Sequence, residues 1–475
     1  MVGRTILVLF TLVGCNADVV VTPVIEGPVG DPDASAFPTI DSINITIAHE
    51  GSERDLVSAS FNRGEDVGIA GAPFGDDLVV HMSGFVGASN VAYGRTCAFH
   101  VDAHRPPPEP HLFFSRSVKF ASLGVTPVDR THGQGVSYMG SVLILGGEAD
   151  GSGVSTVERY DPVTGELASV GSIDGRTGSV EALIGTSPPR VVVVGGQIGN
   201  IGAAFIELVD PTREIERFDD LRTPMPRIGL TATSLTDGRV IVIGGNPPGD
   251  VPVGTTTELT LGNGIEVRAL PKAVLVHPRT GHTATRLGDD LGAPVLIAGG
   301  TDAAGAPVPI AELFKPLSEE LASPTTFAPA MLIPRSHHQA VRMPDGSVLI
   351  IGGLDAGNQP VTTLELFTLD AGFISVGELP DTAGVIDFTA TPLPDGRVLI
   401  VGGRSQPGGP PTTTAFIARL DPLDGSVDVV PTDRLAMPRA NHQAAVLCDG
   451  TILITGGSGA GAVAERYNPS PSGRR

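Results

Sequence analysis

The sequence predicts an all-β protein made mostly of one repeated strand unit, and three observations point to this class. Of its 475 residues, 62 are glycine and 41 are proline, a share of helix-breaking residues that argues against helical bundles. The apolar fraction of 41% argues against disorder. Finally, a short apolar run that ends in two glycines recurs along the chain. Together these features predict many short strands joined by tight turns.

Charge and cysteine content exclude several classes of function. The formal net charge is −21, from 52 acidic and 31 basic side chains, so binding to a nucleic-acid backbone is unfavourable. Three cysteines cannot supply a disulfide framework, and no paired CxxC motif or Cys/His zinc grouping is present. We therefore expect no nucleic-acid partner, no metal site and no cofactor.

The first 14 residues predict an export signal. Arg4 precedes an apolar run from Ile6 to Val13, which is too short to span a bilayer. The following Leu12-Val13-Gly14-Cys15 resembles the lipobox of bacterial lipoproteins. The resemblance implies cleavage before Cys15, lipidation of its thiol and a mature net charge of −22, because Arg4 is lost from a chain of charge −21.

The residue after the lipobox cysteine bears on location. It is Asn16 and not aspartate, which in enterobacterial lipoproteins is the pattern of outer-membrane delivery. We therefore expect a protein of the bacterial cell envelope that is lipid-anchored in the outer membrane. An ordinary secretory signal followed by a coincidental cysteine is the alternative.

Composition divides the region before the repeats into three parts. Residues 15–38 are rich in Pro, Gly and Val, which predicts a flexible tether that begins at the lipidated cysteine. Residues 39–104 predict a small β-sandwich domain, with strands at Ile43–Ile47, Leu78–Met82 and Cys97–Val101. Residues 105–114 contain consecutive prolines, which predict an extended linker because proline cannot donate a ladder hydrogen bond.

Beyond residue 128 the same short run occurs seven times, at intervals of 49 to 55 residues from one copy to the next. Four residues, almost all apolar, precede Gly-Gly each time, so each run is a strand covered on both faces and lies between neighbouring sheets. The copies are Val142–Gly147, Val191–Gly196, Val240–Gly245, Val295–Gly300, Val348–Gly353, Val398–Gly403 and Ile452–Gly457.

Flanking signals complete the repeat. An Asp-Gly hairpin turn precedes four of the runs, as at Asp237-Gly238, and a third strand follows with an acidic residue and then proline, as in Glu158-Arg-Tyr-Asp-Pro162. This pattern resembles the kelch repeat, in which each copy is one four-stranded blade of a β-propeller. The resemblance covers residues 115–469 and implies a seven-bladed propeller. The family's tryptophan is absent, and smaller residues such as Val170 are expected in its place.

The ring needs a strand from outside the seventh copy. That copy stops at Pro469, and the tail of residues 470–475 is too short for a fourth strand. An open ring would expose two sheet edges, so we expect Ser117–Leu123, just before the first copy, to complete the last blade.

One arginine register recurs in six copies and provides candidate ligand-binding residues. Six cations near one mouth of the channel would attract an anionic group. The alternative, which we favour, is a structural Arg-Glu pair, because the sixth copy lacks both members and has Val385 and Ala418 at the two positions, whereas the other copies carry both. The six residues are Arg130, Arg176, Arg227, Arg279, Arg335 and Arg439.

Three histidines, His282, His338 and His442, share another register and are also candidate ligand-binding residues. Because they belong to different blades, shared metal ligation is disfavoured and buried or surface-facing imidazoles are the better interpretation. Cys97 and Cys448 would pair only if the sandwich docks on the seventh blade; otherwise each is a small buried hydrophobe.

No motif in the sequence specifies chemistry. Four tyrosines leave almost no material for the copper-radical site of galactose oxidase, and the repeated boxes of sialidases are missing. We therefore predict no catalytic residues and a non-catalytic recognition or scaffold module for a protein or glycan ligand in the cell envelope. The alternative is a carbohydrate-active enzyme similar to N-acetylneuraminate epimerase (mutarotase), acting at the channel mouth.

Overall fold

A computed structural model describes residues 19–29, 33–52, 54–65, 67, 69–102, 104, 106, 108–213, 215–218, 225–262, 266–317, 320–322, 330–459, 461 and 463–469. These residues form forty strands and no helix, so the described chain offers no helical membrane span. The chain is all-β, and its sheets form a small N-terminal domain followed by a seven-bladed β-propeller, as the resemblance implied.

The N-terminal domain is built on one antiparallel sheet of six strands, covered by two small two-stranded sheets. Alternating residues of the large sheet, among them Ile45, Val80 and Met82, are fully buried in one apolar core. The strands are β1 (Val19–Val21), β2 (Val24–Glu26), β3 (Ser42–His49), β4 (Asp55–Asn62), β5 (Ile69–Ala72), β6 (Gly75–Val86), β7 (Ser89–Arg95), β8 (Phe99–Val101), β9 (His111–Phe113) and β10 (Ser115–Arg116).

Two segments predicted to lie outside the sheets, a flexible tether and an extended linker, contribute strands to this domain. β1 pairs with β5, and β2 pairs in parallel with β9, so part of the predicted tether and part of the predicted linker are ordered in sheets. The physical reason is burial: Val21 and Leu112 are both 0% exposed in the apolar core of the domain. Local composition does not reveal such long-range partners. Residues 15–18 lie outside the described residues.

The propeller consists of seven sheets, each a four-stranded antiparallel meander whose strands we call a, b, c and d from the channel outwards. Short extra strands extend the loops between strands b and c in blades one and two. The strand that closes the ring is β11 (Lys119–Ser122). Blade one contains β12 (Thr131–Tyr138), β13 (Ser141–Ala149), β14 (Ser152–Gly153), β15 (Thr156–Asp161) and β16 (Glu166–Ser172). Blade two contains β17 (Thr177–Ile184), β18 (Arg190–Ile198), β19 (Ile201–Gly202), β20 (Ile206–Val209) and β21 (Glu216–Phe218).

The remaining blades follow the same order. Blade three contains β22 (Thr231–Ser234), β23 (Val240–Ile243), β24 (Thr255–Gly262) and β25 (Glu266–Val274). Blade four contains β26 (Thr283–Arg286), β27 (Val295–Ala298), β28 (Glu312–Lys315) and β29 (Glu320–Ala322). Blade five contains β30 (Gln339–Arg342), β31 (Val348–Ile351), β32 (Thr363–Thr368) and β33 (Gly372–Glu378). Blade six contains β34 (Thr389–Pro392), β35 (Val398–Val401), β36 (Ala415–Leu420) and β37 (Val427–Pro431). Blade seven contains β38 (Gln443–Val446), β39 (Ile452–Thr455) and β40 (Glu465–Asn468).

The repeated run forms strand b of every blade. Its four residues before the glycines are no more than 2% exposed in any copy, as expected for a strand covered on both faces. The a strands of neighbouring blades contact one another all the way round, including β12 of blade one with β38 of blade seven. The seven apolar sheets are therefore stacked around one channel.

The ring is closed by the strand predicted from the sequence. β11 pairs with β40 and becomes strand d of blade seven, with Lys119 opposite Asn468 and Phe120 opposite Tyr467. The Phe120 and Tyr467 rings pack with their centroids 4.8 Å apart, and both residues are buried. This pairing covers the outer edge of β40, which would be exposed without β11.

The N-terminal domain docks on blade seven. Cys97 and Cys448 form a disulfide, which is the arrangement expected if the two domains touch. The Asn468 side-chain amide donates to the Tyr93 carbonyl oxygen at 2.7 Å and to the Ser115 hydroxyl at 2.8 Å. Because β10 pairs with β7 and β11 pairs with β40, one short segment belongs to sheets of both domains.

Candidate functional site

The repeated arginine holds its own blade together. In blade four, Nη1 of Arg279 donates to the Gly299 carbonyl oxygen at 3.2 Å, and Nη2 donates to the Ile310 carbonyl oxygen and to Glu312 Oε1, both at 2.8 Å. The Glu312 carboxylate also accepts the backbone N–H groups of Val276 and His277. One buried pair thus ties strands b and c to the segment that enters strand a.

Five blades repeat this pair, and all five arginines are no more than 1% exposed. Burial lowers the pKa of each guanidinium, and the adjacent carboxylate opposes that shift. Their Nη groups donate to glutamate and to backbone carbonyls, and the side chains are enclosed, so these arginines present no exposed face to a ligand. The pairs are Arg130–Glu158, Arg176–Glu207, Arg279–Glu312, Arg335–Glu365 and Arg439–Glu465.

The sequence-based alignment of the two remaining copies needs correction. In blade six the strand c position that carries glutamate elsewhere is Phe416, opposite Ile400, and Ala418 lies two residues further on. In blade three that position is Thr257, opposite Val242, so Arg227 has no glutamate partner there. The expectation that every other copy carries both members is therefore wrong for blade three. Strand register, which follows from backbone pairing, is invisible in sequence spacing alone.

Each of the three candidate histidines forms a hydrogen bond to the preceding blade. Nε2 of His282, His338 and His442 lies 3.0, 3.0 and 2.8 Å from a threonine hydroxyl on strand a of the preceding blade. Each residue is 4–5% exposed, and burial lowers each imidazole pKa to about 3. They are therefore neutral and enclosed, as the sequence analysis favoured.

The same imidazoles explain the first glycine of the repeated doublet. A Cβ atom on Gly244 would lie 2.6 Å from Cε1 of His282 in the next blade, and φ at Gly244 is +60°. Both the contact and the backbone conformation require glycine. In blade six Phe388 fills the equivalent place against Gly352, so this blade replaces the imidazole by an apolar ring.

Accessible side chains occur at a ring of positions that the sequence analysis did not single out. Two residues after the repeated arginine, or after Val385 in blade six, one residue per blade has a positive φ of 55° to 68°. Three neighbouring pairs are joined by backbone hydrogen bonds, such as His132 N–H to the Asn441 oxygen at 2.9 Å. These residues start the innermost strands, and we call them the mouth ring: His132, Gly178, Gly229, Gly281, His337, Asp387 and Asn441.

The backbone restricts which residue types the mouth ring can contain. Glycine tolerates positive φ best, and Asn, Asp and His are the other types enriched there. Blades two, three and four carry glycine, whereas the four consecutive blades five, six, seven and one carry side chains. We call these four residues the polar arc: His337, Asp387, Asn441 and His132.

The polar arc is supported by the residues that follow the glycine doublets. Nδ1 of the exposed His132 lies 3.3 Å from Oε1 of Glu148. Nε of Arg404 donates to Oδ2 of Asp387 at 3.2 Å, and its Nη2 donates to the Ser458 hydroxyl at 2.8 Å. The arc therefore presents imidazole, amide and carboxylate groups that can donate to or accept from a bound polar molecule.

A sequence signal for the mouth ring existed. It is the fixed offset of two residues from the repeated arginine, combined with a choice limited to Gly, Asn, Asp and His. That choice identifies a left-handed backbone position but does not show that the position faces the channel mouth. The stacking of the blades around the channel places these residues at its mouth.

A buried carboxyl group replaces the imidazole between blades one and two. Glu181 Oε1 accepts from the Ser179 hydroxyl at 3.0 Å, and its Oε2 is enclosed without a hydrogen-bond partner. Burial raises the pKa of Glu181 to about 7, although Ser179, Arg176 and Arg130 oppose the shift. This side chain therefore takes up a proton near neutral pH.

Other features offer weaker candidates for a ligand site. A cleft of about 490 Å³ lies between blades two and three near the turn Asp237-Gly238, at the opposite end of strand a from the mouth ring. Its guanidinium groups already face carboxylates, such as Arg239 Nε at 2.7 Å from Asp237 Oδ2. Within the described part of the chain, no group of three or more His, Cys, Asp or Glu side chains is placed to hold a metal ion.

Comparisons with known proteins give a likeness of fold only. No protein-family model matches the chain. No curated protein matches it either. Among solved structures, the chain is similar to one titled "Structure of YjhT", with a TM-score of 0.47 and 15% identity over 66% of this chain and 100% of that chain.

Removing one member of a buried pair should be costly. Glu365→Phe leaves the Arg335 guanidinium buried without its carboxylate, which is expected to lower the free energy of unfolding by roughly 3–5 kcal/mol.

The triple variant R335V/H338F/E365F reproduces the apolar set of blade six, Val385, Phe388 and Phe416. The free energy of unfolding of the triple variant should exceed that of E365F by at least about 2 kcal/mol, because no buried charge is left unpaired. Denaturant unfolding measures both, with the exposed Glu378→Ala as control; a triple variant as unstable as E365F would contradict the argument.

Stability should depend on pH in two opposing ways. The three histidines bind protons only in the unfolded state between pH 3 and 6.5, so they destabilise the fold as pH falls through that window. Glu181 holds its proton in the folded state up to about pH 7. The stability that this protonated group gives the fold is therefore lost as pH rises from 4.5 to 7.

Glu181→Gln isolates the second effect. The free energy of unfolding of this variant relative to the parent should rise by on the order of 2 kcal/mol between pH 5 and pH 8, because glutamine cannot ionise. Denaturant unfolding at the two pH values measures this, with Glu378→Gln as control. A difference that is the same at both pH values would show that Glu181 does not titrate with folding.

Proposed function

We propose that this protein recognises a polar ligand, a protein or a glycan, at the mouth ring without chemical turnover. The observation that carries the proposal is the polar arc. The backbone at the mouth ring needs only a residue that tolerates positive φ, and glycine satisfies this in three blades. The four blades that instead carry His337, Asp387, Asn441 and His132 place exposed or half-buried polar groups side by side around one half of the mouth.

The deeper residues support binding at the rim over chemistry inside the channel. Five of the six repeated arginines are buried in ion pairs with glutamate, and the three candidate histidines are enclosed and neutral. Amide, imidazole and carboxylate groups at the rim match the hydroxyl groups of a sugar or the amides of a peptide. Fixed on a rigid ring of backbone, they lose little conformational freedom when a ligand binds.

A glycine variant tests the polar arc without disturbing the fold. The triple substitution H132G/H337G/N441G places in blades five, seven and one the residue that blades two to four already carry. Glycan and peptide arrays would identify a ligand of the parent protein, and titration calorimetry would then compare affinities. We expect at least tenfold weaker binding and an unchanged melting temperature, because the left-handed backbone is preserved.

The matched control is Leu423→Ala, a change at an outer turn where the side chain is 93% exposed. It should leave affinity unchanged. Equal affinity of the triple glycine variant and the parent would refute binding at the arc.

A carbohydrate-active enzyme of the N-acetylneuraminate epimerase (mutarotase) type is the second candidate. It is favoured by the exposed His132 beside Glu148, since a histidine oriented by a carboxylate is able to move protons. Proton NMR of N-acetylneuraminate anomerisation separates the candidates. Turnover that is lost in Glu148→Gln while sugar binding persists supports the enzyme, whereas affinity without turnover in the parent supports recognition alone.

We further propose that the chain is exported and anchored in the outer membrane through a lipid on Cys15, which lies outside the described residues. The lipobox carries this proposal. The disulfide between Cys97 and Cys448 supports export, because disulfides persist in oxidising compartments.

Two variants test the anchor in an enterobacterial host. Cys15→Ala should abolish incorporation of labelled palmitate and release the protein from the membrane fraction, because no thiol remains to be acylated. Asn16→Asp should keep the label and move the protein to the inner-membrane fraction. Labelled, membrane-bound Cys15→Ala protein would exclude Cys15 as the lipidation site.

A further inference from the structure

Arg227 differs from the five other repeated arginines in its partners. Its Nη1 donates to the Gly244 carbonyl oxygen at 2.6 Å, to the Thr255 carbonyl oxygen at 3.2 Å and to the Thr255 hydroxyl at 2.7 Å. Nε and Nη2 make no hydrogen bond with the described residues. The residue is nevertheless only 5% exposed.

The arrangement around Arg227 corresponds to that in the paired blades, apart from the carboxylate. The Gly244 and Thr255 carbonyls take the places of the Gly299 and Ile310 carbonyls of blade four. Two residues after Thr255 comes Thr257, which is 3% exposed and stands where Glu312 stands in blade four. Blade three thus keeps the guanidinium cradle and lacks the anion that fills it elsewhere.

The missing carboxylate leaves a buried cation uncompensated. Among the described residues, no Asp or Glu side chain lies within ion-pair distance of Arg227. Burial lowers its pKa to about 10, with no neighbouring carboxylate to oppose the shift. An enclosed charge without a partner is costly unless an anion binds to it.

We propose that blade three binds one small oxyanion, a carboxylate or phosphate group, at Arg227 in the place that glutamate occupies in five other blades. Guanidinium groups pair with both anions through parallel N–H donors, and the two unused nitrogens of Arg227 supply them. In a chain with a net charge of −21, a buried guanidinium that has no carboxylate partner among the described residues gives an anionic group a specific place to bind.

The site lies beside the part of the mouth ring that is free of side chains. Arg227 precedes Gly229 by two residues, and the ring members in the adjacent blades are Gly178 and Gly281. No ring side chain stands over this sector in blades two, three and four. The anion site is separate from the polar arc, so it does not depend on the proposed recognition function.

Thermal unfolding of the full-length protein tests the site with two probes, sodium acetate and inorganic phosphate. Sodium chloride at matched ionic strength corrects for screening. The parent should show a saturable rise in melting temperature with acetate, phosphate or both, because an anion that binds only the folded state stabilises it. The probe that acts identifies the chemistry: phosphate alone indicates a phosphate-bearing ligand, and acetate indicates a carboxylate.

Thr257→Glu is the decisive variant. It supplies the missing carboxylate in register with Arg227, so it should raise the melting temperature without added anion and weaken the anion response at least tenfold. Thr257→Val keeps the volume of this side chain without adding charge and should keep the response, as should the triple glycine variant of the polar arc. A parent that responds no more to acetate and phosphate than to chloride overturns the proposal, even if either Thr257 variant fails to fold. So does a folded T257E protein that retains the full response.

Discussion

The buried arginine-glutamate pair is the interaction on which the rest of the propeller depends. In five blades it ties strand b to strand c through the guanidinium, while the carboxylate fixes the segment that leads into strand a. That segment contains the mouth ring, two residues after the arginine. The pair therefore positions the rim of the channel as well as the sheet beneath it. An ion pair buried this deeply contributes little net stability over an apolar set, but breaking one partner is costly, so it specifies one arrangement.

The two blades that depart from this pair show how one structural position serves different ends. Blade six substitutes Val385, Phe388 and Phe416, an apolar set that leaves no charge to compensate. Blade three keeps Arg227 and loses the carboxylate, which leaves a buried charge open to a ligand. Similarly, the mouth ring keeps one backbone conformation in all seven blades and varies only the side chain. Both proposed binding sites therefore lie at positions where the blades of this repeated fold differ from one another.

Closure joins the propeller to the N-terminal domain. The segment that contains β10 and β11 adds one strand to each domain's sheet, and the Cys97–Cys448 disulfide and the Asn468 amide fix the contact beside it. The disulfide sits at the turn of blade seven that lies at the far end of strand a from the mouth ring. The docked domain therefore leaves the rim with the polar arc uncovered at this blade.

The sequence by itself determined the all-β class, the seven blades and the closing strand, because glycine doublets and fully apolar strands leave few alternatives for the backbone. It also favoured a structural Arg-Glu pair, which five blades contain, since a paired loss in one copy is visible as a pattern. It missed the strands formed by β1, β2 and β9, whose partners lie far away along the chain. It placed Ala418 where Phe416 belongs, because strand register depends on backbone pairing. Only the tertiary structure decided which polar residues reach the mouth and which arginine lacks a carboxylate, since both depend on how side chains from separate strands and blades meet.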